Sequence, residues 1–345
     1  MHPSGMTYLR WPLIFTGLGL ILAFAIGWQM QGSIAGGIQF FLIGGVLAIL
    51  EISLSFDNAI VNAAKLKSMT PLWQKRFLTW GILIAVFGMR IIFPLMVVSI
   101  AAHVSPISAL QIAVSDPARY AELIHAAHLP IAAFGGTFLL MVALSYFMDC
   151  EKDIHWIRPV EKCFCSCANV RGLQIGAVLL TIGVFALAIG NADSIRFIKA
   201  AGFGLATYVV VEQLGELLDQ KSASGAVAKG GLGAFLYLEV LDASFSFDGV
   251  IGAFALTQNL FLIAIGLGIG ALYVRSMTIM LVERETLAEY RYLEHGAFYS
   301  ILILAFIMFA QVLVHVPEYI TGTLGAGFIL LSLLASLRYR KRNLR

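Results

Sequence analysis

Five carboxylates stand inside apolar runs where an ionised group has no ordinary use. Two belong to the stretch Leu50-Glu51-Ile52-Ser53-Leu54-Ser55-Phe56-Asp57-Asn58, and two to Leu241-Asp242-Ala243-Ser244-Phe245-Ser246-Phe247-Asp248-Gly249. In each stretch an acid precedes an Asp by six positions, with Ser, Ser and Phe at matching offsets between them; Glu239 is the fifth acid. Carboxylate, hydroxyl and amide oxygens are hard donors, suited to Mg, Ca or Mn. No His or Cys falls near the middle of an apolar run, which argues against a buried zinc or copper site of the His/Cys type. The candidate metal-holding residues are therefore Glu51, Asp57, Asn58, Asp242, Asp248 and Glu239. Ser53, Ser55, Asn62, Ser244 and Ser246 would support them, together with Arg90 and Arg275, which also lie in apolar runs.

Five acids and two arginines facing lipid would cost on the order of 20 kcal/mol. They must instead face one another, water or a bound cation. Arg90 and Arg275 can neutralise two of the acids through carboxylate–guanidinium pairing when no ion is bound. The remaining three can take up protons or hold a cation, and an exchanger of metal for protons would use both states. The competing account is packing, with buried acids serving as hydrogen-bonding and ion-pairing glue between helices.

The elements that carry these residues follow from composition. The chain has 345 residues, 59% hydrophobic and 12% charged, with a mean hydropathy of +0.87. Soluble domains carry about 25% charged residues, so this composition belongs to a membrane. Runs of about 20 apolar residues can cross the hydrocarbon core as helices. Ten such runs are expected, at 11–30, 37–63, 77–102, 131–148, 172–190, 200–218, 230–257, 260–282, 297–316 and 320–336. No small-residue cleavage site follows the first, which is expected to be retained. The fold class is thus an all-α polytopic membrane protein. With both termini cytoplasmic, 18 of the 23 Lys and Arg fall on the cytoplasmic side, Arg90 and Arg275 lie within spans, and only Arg119, Arg196 and Lys199 lie in loops on the other side.

The acidic motifs lie on spans 2 and 7. An offset of five reverses helix direction, so the chain reads as two inverted five-helix repeats, 1–190 and 191–345, a recurrent plan among transporters. Span 3 carries Gly88-Met89-Arg90-Ile91-Ile92 and span 8 carries Tyr273-Val274-Arg275-Ser276-Met277, extending the correspondence. At helical spacing Glu51, Ser55, Asn58 and Asn62 share one face, with Ser53 and Asp57 beside it. Glu239, Asp242 and Ser246 share another, with Ser244 and Asp248 next to it. Asn62 and Glu239 enrich the cytoplasmic side, which favours loading from the cytosol.

The cysteines, Cys150, Cys163, Cys165 and Cys167, all fall in the cytoplasmic loop 149–171 and are expected as reduced thiols. The segment 103–130, with Asp116, Glu122, His125 and His128, reads as a solvated loop helix. The basic end Arg338 to Arg345 is an anchor against anionic lipid rather than a nucleic-acid tail. Nucleophile elbow, phosphate loop and zinc-protease helix are all missing from the sequence, so no enzyme is expected, and no cofactor beyond a transported cation.

The residues Phe56-Asp57-Asn58-Ala59, Arg90, Phe134-Gly135-Gly136 and Ser246-Phe247-Asp248 resemble those of the TerC family, in a bacterial branch within the LysE-type exporter superfamily. The likeness extends over most of spans 2–9. It implies a multi-pass protein of the bacterial inner membrane, a link to tellurium resistance and manganese export, and Glu51, Asp57 and Asp248 as ion-site acids. The expected function is export of a divalent cation, Mn2+ above others. The alternatives are a non-transporting scaffold or assembly factor in metal or tellurite stress, and an exporter of a small organic cation.

Overall fold

The computed structural model describes residues 5–150, 152, 154–168, 172–190, 193–221, 231–284, 286–314 and 316–343. Among these the regular elements are all helical. The protein is an all-α polytopic membrane protein. Among the described residues, seven helices are long and apolar enough to cross a membrane: Thr7–Gln31, Ile34–Leu54, His128–Met148, Ser194–Leu214, Leu260–Glu283, Leu293–Gln311 and Ile320–Arg342. A bent pair, Pro71–Gly81 with Ile84–Ile100, makes an eighth if it is one span. Of the ten expected spans, the other two correspond to Leu173–Ile189, only 17 residues long, and to Leu232–Leu256, which carries three acids.

The helices that hold the acidic motifs differ in a way the sequence does not announce. The first motif is split: α1 (Gly5–Gln31) is followed by α2 (Ile34–Leu54) and α3 (Phe56–Lys67), with Ser55 between the last two at φ −104° and ψ 16°. The single run expected over 37–63 is therefore a helix broken at Ser55, although the Ser55 N–H still bonds the Glu51 carbonyl and the Ala59 N–H the Ser55 carbonyl. Glu51, Ser55 and Asn58 of the expected face are all buried. The second motif lies on one uninterrupted helix.

The third expected run is also irregular. It comprises α4 (Pro71–Leu83), a π-helical segment Ile84–Ile92 and α5 (Phe93–Ala101), with a 41° bend between its halves. Pro94 explains the position of the irregularity. It has no N–H to return to the preceding turn, and Phe93 N–H reaches back five residues to the Gly88 carbonyl. The remaining helices are α6 (Pro106–Ser115), α7 (Pro117–Ala126), α8 (His128–Met148), α9 (Arg158–Ala168), α10 (Leu173–Ile189), α11 (Ser194–Lys221), α12 (Leu232–Leu256), α13 (Leu260–Glu283), α14 (Thr286–Glu289), α15 (Leu293–Gln311) and α16 (Glu318–Asn343).

The chain forms two compact units, each drawing on both sequence halves. One comprises Met1–Ala59, Gln74–His128 and Phe245–Met280; the other comprises Ile60–Trp73, Leu129–Ser244 and Leu281–Arg345. In the first unit, Leu47 of α2 and Val98 of α5 join Tyr120 and Ile124 of α7, Val250 and Phe254 of α12, and Ile263 of α13 in one buried cluster. The segment 103–130, expected as a solvated loop helix, is helical with Glu122 and His125 exposed, but it is not solvated all round. Its α7 turns Tyr120, Ala121 and Ile124 into this core, leaving only the opposite face polar. In the second unit, α8 is buried along most of its length, as a helix apolar all round requires.

Candidate cation site

Glu51 lies in the last turn of α2 and is 3% exposed. Two groups converge on it within the first unit. Ser55 Oγ, in the break, donates to Glu51 Oε1 at 3.0 Å. Arg90 Nη2, from the π segment, donates to the same oxygen, and Arg90 Nη1 donates to Ser246 Oγ of α12. Arg90 is itself 3% exposed, so one buried guanidinium ties α2 to α12. Such a pair is strong only when both charges are fully hydrogen-bonded, as Glu51 Oε1 is here.

Two glycines make the room. A Cβ at Gly270 of α13 would sit 2.4 Å from Glu51 Cβ and Cγ, and one at Gly249 of α12 would sit 2.9 Å from Glu51 Oε2. The carboxylate therefore lies in a slot whose walls are bare backbone. Neither glycine was among the expected site residues. The run Gly266-Leu267-Gly268-Ile269-Gly270 carried the signal, since small residues at close spacing let helices approach.

Asp57 opens α3 and is buried, with the Asn58 N–H donating to its Oδ1 at 2.8 Å. A carboxylate in the first turn of a helix lies at the positive end of the backbone dipole. Asn58 is buried beside it. Arg275 is buried too, its guanidinium 3.9 Å from the centre of the Phe77 ring. Ser53 does not join the group: it is exposed and its hydroxyl returns to the Ile49 carbonyl at 2.9 Å. The second unit holds Asn62, Asp242 and Ser244, all buried. The Ser244 hydroxyl bonds the Val240 carbonyl of its own helix at 2.9 Å, and Glu239 is half-buried. The Asp248 side chain lies outside the described residues, although its backbone continues α12.

Among the described residues no three His, Cys, Asp or Glu side chains converge to hold a metal ion. What the first unit presents is a carboxylate and a hydroxyl already bridged by a cation, the guanidinium of Arg90. Oxygens of this kind suit a hard divalent ion. That ion and the guanidinium cannot share them, because a divalent and a single positive charge about 4 Å apart repel by roughly 8 kcal/mol at an effective dielectric constant of about 20.

A further buried acid, Glu161, stands in a polar loop and carries no signal in the sequence. Glu161 of α9 accepts from the backbone N–H of Ile157 at 3.1 Å and of Trp156 at 3.2 Å, and from the Tyr299 hydroxyl at 3.3 Å. His155 Nδ1 lies 3.1 Å from it and His295 Nε2 3.5 Å. His295 Nε2 is also 2.8 Å from the Ile154 carbonyl, which only accepts, so that nitrogen carries a proton. This latch fastens α9 to α15. It also brings Cys165 to Cys150, and the two form a disulfide with Cα atoms 5.2 Å apart, correcting the expectation that these two are reduced thiols. Cys163 is free and exposed, while the Cys167 side chain lies outside the described residues. Beside the latch, Lys152 Nζ stands 3.1 Å from the centre of the Tyr146 ring, and burial lowers its pKa to about 8 against the pull of Asp149, Glu294 and Glu161.

No characterised protein and no solved structure matches the chain. A family model does match, over residues 56–343, so that Asp57, Arg90, Asp242, Asp248 and Arg275 fall within the match and Glu51 just before it. The chain belongs to that family, DUF475, described as proteins of unknown function.

Proposed function

We propose that the protein is an inner-membrane exporter of a divalent metal cation, with Mn2+ as its substrate. One observation carries the reading: Glu51, buried in a glycine-walled slot at a broken helix, holds a cationic group together with the hydroxyl of Ser246. Broken helices that place polar groups inside the bilayer are a recurrent device of secondary transporters. The resemblance to the TerC family and its link to manganese export supports the choice of metal. In this reading Glu51, Asp57 and Asp248 of the first unit replace water around the ion. The two repeats run in opposite directions with both termini in the cytoplasm.

Flux through proteoliposomes across a metal panel tests this. Asp57→Asn and Asp248→Asn should each abolish Mn2+ efflux at normal protein level. Wild-type efflux in both would sink the assignment. A second reading has its own support, because Arg90 and Glu51 pair directly, as interhelical glue would. If the protein is a non-transporting scaffold, Glu51→Gln lowers thermal stability by about 3–5 kcal/mol through the stranded guanidinium, and no metal moves through the wild type.

A further inference from the structure

The Arg90 guanidinium occupies the place a cation would take between Glu51 and Ser246, and it comes with the protein. Both of its bonds run to other helices, Nη2 to Glu51 of α2 and Nη1 to Ser246 of α12, in a buried setting. A guanidinium does not shed its proton in a protein, so this positive charge is permanent. Cargo binding at Glu51 must displace it. Cargo release must leave the carboxylate bare unless the guanidinium returns.

The element beneath Arg90 gives it a way to move. It lies in the last turn of the π segment Ile84–Ile92. A π turn holds one residue more than an α turn, and tightening it by that residue rotates the side chains beyond it by roughly 100° about the helix axis. That rotation would carry Arg90 off Glu51, and its reversal would bring the guanidinium back. The slot needs no rebuilding between the two arrangements, since its other walls are the backbones at Gly249 and Gly270.

We infer that Arg90 is a built-in counter-cation, which replaces the departing divalent ion at Glu51 and Ser246 so that the emptied carrier resets without a counter-transported ion. The inference rests on the export reading and adds a coupling mode to it. Exchangers return with a proton or a second metal ion neutralising the site; here the return passenger is tethered. Net export is then an electrogenic movement of the divalent ion alone.

The test uses the full chain in proteoliposomes with Mn2+ as probe. Two fluxes are compared: net flux, with Mn2+ on one side, and tracer exchange, with Mn2+ on both. Potassium and valinomycin carry the balancing charge, sodium is left out and pH is equal on the two sides. The wild type should show both fluxes under these conditions. Arg90→Gln should keep exchange within about threefold of wild type, because the site never crosses empty, while net flux falls at least tenfold. Arg90→Lys should restore most of the net flux. Thermal unfolding of each variant controls for folding, and the wild type alone suffices if Arg90→Gln does not fold. A wild-type net flux that requires a proton or sodium gradient overturns the inference, as does equal loss or equal retention of both fluxes in a folded Arg90→Gln. Absence of exchange in the wild type overturns the export reading, and this inference with it.

Discussion

At the scale of single residues, the slot around Glu51 makes demands that can be measured separately. Gly270→Ala puts a methyl 2.4 Å from the Glu51 stem, which is fixed to α2 and cannot retreat. It should cost about 1–3 kcal/mol of stability, read from thermal or denaturant unfolding. Gly249→Ala meets only the carboxylate oxygen at 2.9 Å, the far end of a side chain. Its strain is offset by up to about 1 kcal/mol of helix propensity, so it should fold normally and lose Mn2+ flux instead. Equal stability losses in the two would show that the slot is not shaped as described. Lys152 sets a different test. Between about pH 8 and its ordinary 10.5 the unfolded chain holds a proton here that the folded chain has released. Stability should therefore rise with pH across that window, and Lys152→Met should flatten that part of the rise in melting temperature. An unchanged pH profile in the variant would refute the burial effect.

At the scale of elements, the attachment of α9 depends on one carboxylate. Glu161→Gln removes the charge that two backbone N–H groups and the Tyr299 hydroxyl address, at roughly 1.5–3 kcal/mol per charged bond lost. The expected outcome is faster proteolysis between α8 and α10 with the membrane helices intact; an unchanged cleavage rate would mean that packing holds α9. Sequence reading was strongest where burial and chemistry conflict. Glu51 and Arg90 stood out because neither belongs in lipid, and the structure joins them. It was weaker where geometry depends on distant partners. No Gly or Pro marks the break at Ser55, whose hydroxyl is drawn to Glu51. Pro94 marks α5, but not the width of the turn before it. Glu161 and the Cys150–Cys165 bond were hidden in a loop whose polarity suggested solvent, and their pairing exists only once α9 is docked.

At the scale of the whole molecule, hydropathy gave the all-α polytopic architecture, and it overcounted helices that qualify by length and composition alone. Leu173–Ile189 falls short in length and α12 in charge. Orientation is open to direct measurement. Reporter fusions at both termini, and one in α6–α7, should place the termini in the cytoplasm and α6–α7 outside; termini on opposite sides would break the ten-span topology. The two compact units do not coincide with the expected repeat halves 1–190 and 191–345, since each unit draws residues from both. The acids of α12 have one more consequence, for biogenesis. A helix with Glu239, Asp242 and Asp248 meets an insertion penalty of roughly 8–10 kcal/mol if it enters lipid alone. Its apolar residues offset part of this; the rest has to come from helices already in place. Arg90 and Glu51 are synthesised long before Ser246, so the growing chain holds a buried ion pair in the membrane that waits for α12 to dock. A chain truncated just after α5 would expose that pair to lipid and should be cleared by membrane quality control.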